Sequence, residues 1–272
     1  MYKLIASDLD ETLLGTDHRI CQRNLEAIRA AREQGMRFVA ASGRGHRSIS
    51  RELAALDLLD VPGEYAIAFN GGVLASNVGP TPIQSVTLSW EHADELWRYG
   101  TAKGLCMHVY TIDDVVYVRN YVDEDRAYVG DRMHVIETYE RDLGFLQGTS
   151  LVKVLFMDLD PARLRAIHED LGDRVADLDV SYSARRYIEF NPAGVNKGAG
   201  LLSLAAHLGI DPSETIAIGD GPNDIPMISA AGLGACVANA YDEVKEASSY
   251  ICEADNNEGG VAEVIERFVL GC

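Results

Sequence analysis

Five short segments carry the residue types that could handle a phosphoryl group. They are Asp8-Leu9-Asp10-Glu11-Thr12, Ser42-Gly43-Arg44, Asn70-Gly71-Gly72, Asn196-Lys197-Gly198 and Gly219-Asp220-Gly221-Pro222-Asn223-Asp224. Taken singly, each has an ordinary explanation. Asp-x-Asp is common in solvated turns, Ser-Gly after a strand caps a helix, and Gly-Asp-Gly makes a turn. A lone lysine at a helix start is usually a surface residue. Taken together they make a chemical proposition. Asp8, Asp10, Asp220 and Asp224 brought to one place would repel one another and need a proton or a counter-ion. A hard divalent cation answers that need, and Mg²⁺ suits a site that keeps waters and a phosphate oxygen. It would also hold one Asp ionised, as a nucleophile must be. The Asp two residues on could act as acid and then base. Ser42 by hydrogen bonding and Lys197 as a point charge could bind the non-bridging oxygens.

The elements that must position these residues are legible as patterns. Tyr2–Ser7 is an apolar run ending at Asp8 and reads as a buried parallel strand. Residues 22–34 place Leu25, Ile28 and Ala31 near one helical face, with Gly35 as the stop. Arg37–Ala41 is a strand ending at Ser42, and Tyr65–Phe69 one ending at Asn70. After residue 196 the rhythm resumes. Ala199–Leu208 is a helix stopped by Gly209, and Thr215–Ile218 is a strand ending in Gly219-Asp220. A helix over 224–231, a strand over Gly234–Val237, a helix over 241–247, a strand over Tyr250–Cys252 and a helix over 260–269 complete the chain. Strands alternating with helices predict a parallel sheet covered on both faces, and in such sheets ligands bind at the carboxyl ends of the strands. Four of the five segments follow a strand directly, so turn chemistry alone is a poor account of their joint placement.

The middle of the chain has another character. Between residues 84 and 187 lie 12 of the 20 aromatic residues. Trp90–Lys103 reads as a helix, and Leu105–Tyr110 with Val115–Asn120 as a hairpin around Asp113-Asp114. Leu151–Asp158, a helix over 161–171 and Val180–Ser183 resemble a βαβ unit. We read 84–187 as a second α+β domain inserted into an α/β domain made of 1–83 and 188–272.

Composition narrows the function classes. The 272 residues carry 42 Asp and Glu against 24 Lys and Arg, a formal charge of −18. Residues 189–272 alone hold 13 acids and 3 bases. So acidic a chain lacks the basic face that nucleic acid requires and would be repelled by an anionic membrane. Most of that charge reads as solubilising surface. Cys21, Cys106, Cys236, Cys252 and Cys272 are scattered and form no CxxC, and the seven histidines show no metal-ligand spacing. Neither a disulfide framework nor a zinc set is expected, and a reducing cytoplasm is the expected compartment. The opening apolar stretch is broken too early for a signal peptide, and no run approaches a membrane span. Nothing in the sequence specifies an oligomeric state.

The segments quoted above, in this order and spacing, resemble the haloacid dehalogenase (HAD) superfamily of phosphohydrolases, and more narrowly its Cof-type sugar-phosphatase group. The resemblance spans nearly the whole chain. It implies a Rossmann-like parallel-sheet core with an inserted α+β cap, and hydrolysis of small phosphorylated metabolites with Mg²⁺. Asp8 would be the nucleophile and Asp10 the acid and base. Asp8, the backbone carbonyl of Asp10, Asp220 and Asp224 would hold the metal. Ser42, Gly43, Lys197 and Asn223 would bind phosphate, and Arg44, Asn70 and Gly71 would border the pocket. The sequence departs from the usual pattern at Glu11, where Gly is frequent, at Ser42, where Thr is frequent but the hydroxyl is kept, and at Gly45, where Pro is frequent.

The insertion indicates which kind of member this is. Asp8 and Ser42 stand 34 positions apart, too close for an extra domain, whereas Ser42 and Lys197 are 155 apart. By resemblance, the insertion is the larger cap type, which excludes water and selects the leaving group. Rival readings are a phosphomutase of the phosphomannomutase type, which returns the phosphoryl group to sugar, and a non-catalytic module that binds a phosphorylated ligand. The intact set Asp8, Asp10, Lys197 and Asp220 argues against the latter.

Overall fold

Leu4-Ile5-Ala6-Ser7 shows no polar alternation, as expected of a strand covered on both faces. All four residues are buried as β1 (Leu4–Ser7) in the computed structural model, which describes Met1–Gly271. Next come α1 (Gln22–Glu33), β2 (Arg37–Ala41), α2 (Ser50–Ala55), β3 (Tyr65–Ala68), β4 (Val73–Ser76) and β5 (Thr81–Ser85). The middle of the chain builds α3 (Trp90–Lys103), β6 (Cys106–Thr111), β7 (Val115–Arg119), α4 (Asp123–Val129), β8 (His134–Glu137), β9 (Leu151–Met157), α5 (Pro161–Leu171), β10 (Leu178–Ser183) and β11 (Tyr187–Pro192). The last third adds α6 (Lys197–Leu208), β12 (Thr215–Gly219), α7 (Ile225–Ala230), β13 (Leu233–Cys236), α8 (Asp242–Ala247), β14 (Tyr250–Ile251) and α9 (Gly260–Ile265). Two compact units result: Met1–Gln84 with the chain from Asn196 onward, and Ser85–Val195.

The first unit is a sheet in the order β14-β13-β12-β1-β2-β3-β4-β5. It is parallel from β14 to β3, and β4 turns back antiparallel on β3. One face packs Ile5, Phe38 and Ile218 against residues of α1, α2 and α9. The other packs Leu4, Val39 and Ala217 against Leu201, Leu204 and Met227. The carboxyl ends of β1, β2, β3 and β12 therefore share one edge. On α1 the buried stripe is Asn24, Ala27, Ile28 and Ala31, with Leu25 only partly covered. Asn24 holds that inner position because both ends of its amide are used. Its Nδ2 donates to the Leu13 carbonyl at 3.4 Å, and its Oδ1 accepts from Ala262 N–H at 2.8 Å. An asparagine so satisfied can sit where an apolar residue was expected.

The second unit is a sheet in the order β10-β11-β9-β6-β7-β8, antiparallel except for β7 with β8. Side chains alternate across it. Met107, Val109, Val154, Phe156, Ile188 and Phe190 form one face and pack with Leu96 and Trp97 of α3 and Leu164 and Ile167 of α5. The expected hairpin is β6 and β7, and β9-α5-β10 is the expected βαβ unit, with β11 lying between its two strands. That strand moves the boundary read from the sequence. Residues 188–195 belong to the second unit, because Ile188 and Phe190 fill its core and β11 is paired on both sides. Among the described residues Cys21, Cys106, Cys236 and Cys252 are free thiols; Cys272 lies outside them. No described helix is long and apolar enough to cross a membrane.

Candidate active site

β1 delivers Asp8 to the shared edge, where its N–H bonds the Ile218 carbonyl of β12 at 2.9 Å. The chain then makes a tight turn over Leu9–Leu13, with Asp10 extended and Glu11 at φ 63°. Asp8 is thus buried, while Asp10 and Glu11 stay nearer solvent. β12 delivers Asp220 next to β1, and Thr12 Oγ1 donates to Asp220 Oδ1 at 2.6 Å. Asp224 folds back beneath the following turn, where its Oδ2 accepts from the N–H groups of Asp220 and Gly221, both at 3.0 Å. Gly219 makes this fold-back feasible, since a Cβ there would lie 2.4 Å from the Asp224 Cβ.

Lys197 is the first residue of α6, a position whose helix dipole disfavours a cation. Its Nζ nevertheless sits fully buried between carboxylates, 2.5 Å from Asp8 Oδ1 and 2.6 Å from Asp224 Oδ1. Two features bring it there. Asn196 caps the helix by accepting from Ala199 N–H at 2.9 Å. Gly198 lets α6 approach α7, where a Cβ would lie 2.4 Å from the Pro226 carbonyl oxygen.

The rest of the sequence-derived set lies in the same neighbourhood. Ser42 N–H donates to Ile67 O at 2.8 Å, Asn70 N–H to Ser42 O at 3.0 Å, and Arg44 N–H to Ser42 Oγ at 3.0 Å. Asn223 Nδ2 donates to Asn70 Oδ1 at 3.3 Å. Gly43 lies against Asn70, and Gly71, at φ 93°, lies against the Asn196 carbonyl. Arg44 Nε stands 3.2 Å from Asp10 Oδ2. Residues from five strand-end or helix-start segments thus meet at one sheet edge.

Electrostatics mark this cluster as incomplete. One ligand atom from each of Asp8, Asp220 and Asp224 lies within 4.8 Å of the others. Burial pushes the Asp8 carboxyl up to about 7; Lys197 opposes the shift, and Asp224 and Asp10 add to it. Burial, with Asp8 and Asp224, also raises Asp220 well above the ordinary carboxylate range. Burial works against the charge on Lys197, but Asp224 and Asp8 outweigh it and hold the ammonium above its usual value. Fully ionised, three carboxylates against one ammonium leave two negative charges in a dry place. The donor set is hard oxygen, so a divalent cation such as Mg²⁺ fits both the charge and the ligands.

Two participants were not singled out by sequence reasoning. Glu52 is buried on α2 and accepts from both terminal nitrogens of Arg44 at 3.1 Å. Its signal was present: Ile49, Glu52, Leu53 and Leu56 form an i, i+3, i+4, i+7 stripe, and a carboxylate on an apolar stripe needs a buried partner. Thr12 belonged to a quoted motif but had no role assigned, and it clamps Asp220. His46 is buried edge-on to Phe69, with ring centroids 6.2 Å apart. Sequence spacing gave no histidine or cysteine ligand set, yet Cys106, His108 and Asp125 bring ligand atoms within 4.8 Å of one another. Asp125 arrives from α4, across a hairpin, so spacing could not disclose it.

Comparison with known proteins agrees with this geometry. The profile of the haloacid dehalogenase-like hydrolases matches residues 5–265. The 5-amino-6-(5-phospho-D-ribitylamino)uracil phosphatase YwtE of Bacillus subtilis (strain 168) is 30% identical over 291 residues, spanning 99% of each chain. A haloacid dehalogenase-like hydrolase from Bacteroides thetaiotaomicron superposes with a TM-score of 0.83 at 32% identity, covering 98% of this chain and 99% of that one. The HAD subclass IIB sugar phosphatase BT4131 shares the fold, with a TM-score of 0.84 at 22% identity over 98% of each chain. With its carboxylates and lysine gathered at the carboxyl edge of a parallel sheet, the chain belongs to the haloacid dehalogenase-like hydrolases and is a phosphatase.

Proposed function

We propose that this phosphatase hydrolyses phosphate monoesters of sugars and sugar-like polyols, with Asp8 as nucleophile and Mg²⁺ as cofactor. One observation carries the reading: a buried Asp8 carboxylate held by Lys197 beside two further aspartates, at the edge where such sheets bind ligands. The substrate class is supported by two relatives, one named for a phosphorylated ribityl compound and one named a sugar phosphatase.

In this mechanism Asp8 attacks phosphorus and the bond to the leaving oxygen breaks. Asp10, on the exposed side of the turn and paired with Arg44, gives its proton to that oxygen. It then takes a proton from water, which attacks the phosphorus of the aspartyl phosphate. Inorganic phosphate leaves and the Asp8 carboxylate is restored. Lys197, Ser42, the Gly43 backbone and Asn223 hold the non-bridging oxygens. Asp8, the Asp10 carbonyl, Asp220 and Asp224 would hold Mg²⁺, which when bound neutralises charge on the carboxylates and the transferring group. The inserted unit, Ser85–Val195, would act as the cap that selects the leaving group.

The test is phosphate release from a panel of sugar phosphates, polyol phosphates, nucleotides and p-nitrophenyl phosphate, with Mg²⁺ and with EDTA. Mg²⁺-dependent release that favours sugar and polyol phosphates and vanishes in Asp8→Asn supports the proposal. Release unaffected by EDTA would remove the metal from it, and preference for nucleotides would remove the substrate class.

A further inference from the structure

The buried group in the second unit is chemically unlike the carboxylate cluster. Cys106 and His108 lie two residues apart on β6 and so share one face of the sheet. Asp125, on α4, meets them from above. His108 Nε2 stands 2.6 Å from Asp125 Oδ2, and Cys106 Sγ is 3.6 Å from the same oxygen. The side chains of His108 and Asp125 are fully buried, and Cys106 is buried too. We propose that Cys106 Sγ, His108 Nε2 and Asp125 Oδ2 form a second metal site, one for a borderline transition-metal dication such as Zn²⁺, which fastens α4 to β6.

The outer hydrogen bonds suit that role. Tyr187 Oη donates to Asp125 Oδ1 at 2.5 Å, which turns Oδ2 toward His108 and Cys106. Tyr110 Oη donates to Met133 Sδ at 3.7 Å and can accept from His108 Nδ1, 3.4 Å away. With a metal on Nε2, the Nδ1 proton would go to this contact, which suits Nε2 as the ligating nitrogen. A thiolate, an imidazole and a carboxylate are the usual zinc donors, at about 2.3 Å for sulfur and about 2.0–2.2 Å for nitrogen and oxygen. The 3.6 Å separation of sulfur and oxygen fits a shared tetrahedral ion, and His108 and Asp125, 2.6 Å apart, would part by about 0.7 Å to take ligand distances of about 2.0–2.1 Å.

Charge balances as well. Two protons lie within the metal-free trio, one in the Cys106–Asp125 contact and one in the His108–Asp125 contact. Zn²⁺ entering and two protons leaving keeps the buried group neutral in both states.

The experiment uses the full chain, reduced, stripped with chelator and kept in excess Mg²⁺, then titrated with Co²⁺. Only a sulfur ligand gives thiolate-to-cobalt charge transfer, so the carboxylate cluster of the first unit cannot produce that band. The expected result is a band that saturates at one Co²⁺ per chain and disappears on adding Zn²⁺. It should be lost in Cys106→Ser, kept in Cys252→Ser and weakened at least tenfold in affinity in Asp125→Asn. Two protons should be released per metal in weak buffer. No band in the folded wild type, or a band that survives in Cys106→Ser, overturns the site. Should Cys106→Ser fail to fold, an undiminished affinity in Asp125→Asn overturns it equally.

Discussion

Each unit of the molecule buries a polar cluster, and the two are balanced differently. At the carboxyl edge of the parallel sheet, Asp8, Asp220 and Asp224 face a single ammonium, that of Lys197. Burial and mutual repulsion push Asp8 and Asp220 above the ordinary carboxylate range. In the antiparallel sheet burial also works against ionised Asp125, but hydrogen bonds from His108, Tyr187 and Cys106 outweigh it and hold its carboxyl below the usual value. The first cluster carries a charge deficit that a cation and a phosphoryl group can complete. The second is internally satisfied, so it can accept a cation only by giving up protons. Burial alone therefore does not mark a reactive site; unbalanced burial does.

The largest effect that would break this comparison is at Asp8. Asp8→Asn should reduce phosphate release by at least about a thousandfold, because in the proposed mechanism no other group supplies the nucleophile. Circular dichroism should show the fold retained. Activity near that of the wild type would remove the first cluster from the chemistry.

Lys197→Met tests the charge deficit itself. It removes the ammonium paired with both Asp8 and Asp224, and breaking a buried pair from one side costs about 3–5 kcal/mol. The urea midpoint of the metal-free protein should fall accordingly, and Mg²⁺ should restore part of the loss. A midpoint that is unchanged without metal would mean the three carboxylates are not ionised together.

The pH dependence of stability should have opposite signs in the two units. Asp8 is raised from 3.8 to about 7 in the folded, metal-free chain. Its contribution is complete below 3.8 and is lost as pH rises through 7. Asp125 is lowered from 3.8, so its contribution is present above 3.8 and is lost as pH falls through its folded value. Thermal melts between pH 3 and 8 should show the neutral-side loss reduced by Asp8→Asn, with Asp220 keeping part of it, and the acid-side loss reduced by Asp125→Asn. If both variants flatten the same side, the contrast fails.

The smallest expected effect is at Glu52. Glu52→Gln weakens the anchor of Arg44 and, through it, the placement of Asp10. A positioning role predicts a roughly tenfold fall in kcat with KM little changed, read from initial rates over a substrate series. Recovery with Glu52→Asp would support positioning, whereas a change confined to KM would place Glu52 in substrate binding instead.

Much of this site was legible before the fold was known. A parallel strand is a short apolar run, and its carboxyl end is where the polar residues begin. Asp8, Ser42, Asn70 and Asp220 each follow such a run, and the sheet edge is common to them all. Lys197 was legible only through its neighbours Asn196 and Gly198, since a lysine at a helix start is ordinary surface chemistry. Glu52 is readable as a carboxylate on the apolar stripe of Ile49, Leu53 and Leu56. The boundary after residue 187 falls later in the structure, because Tyr187–Pro192 forms β11, paired with both β9 and β10.

By itself the sequence determined the alternation of strands and helices, an insertion between Ser42 and Lys197 and the residues at the strand ends. These are local properties, set by hydrophobic period and turn chemistry within a few residues. Only the tertiary structure decided that Lys197 is buried between Asp8 and Asp224, that Thr12 holds Asp220, and that Asp125 meets Cys106 and His108. Those contacts join residues separated by 17 to 208 positions. No local period encodes them, because they depend on which elements pack together and on the close approach that Gly198 and Gly219 permit.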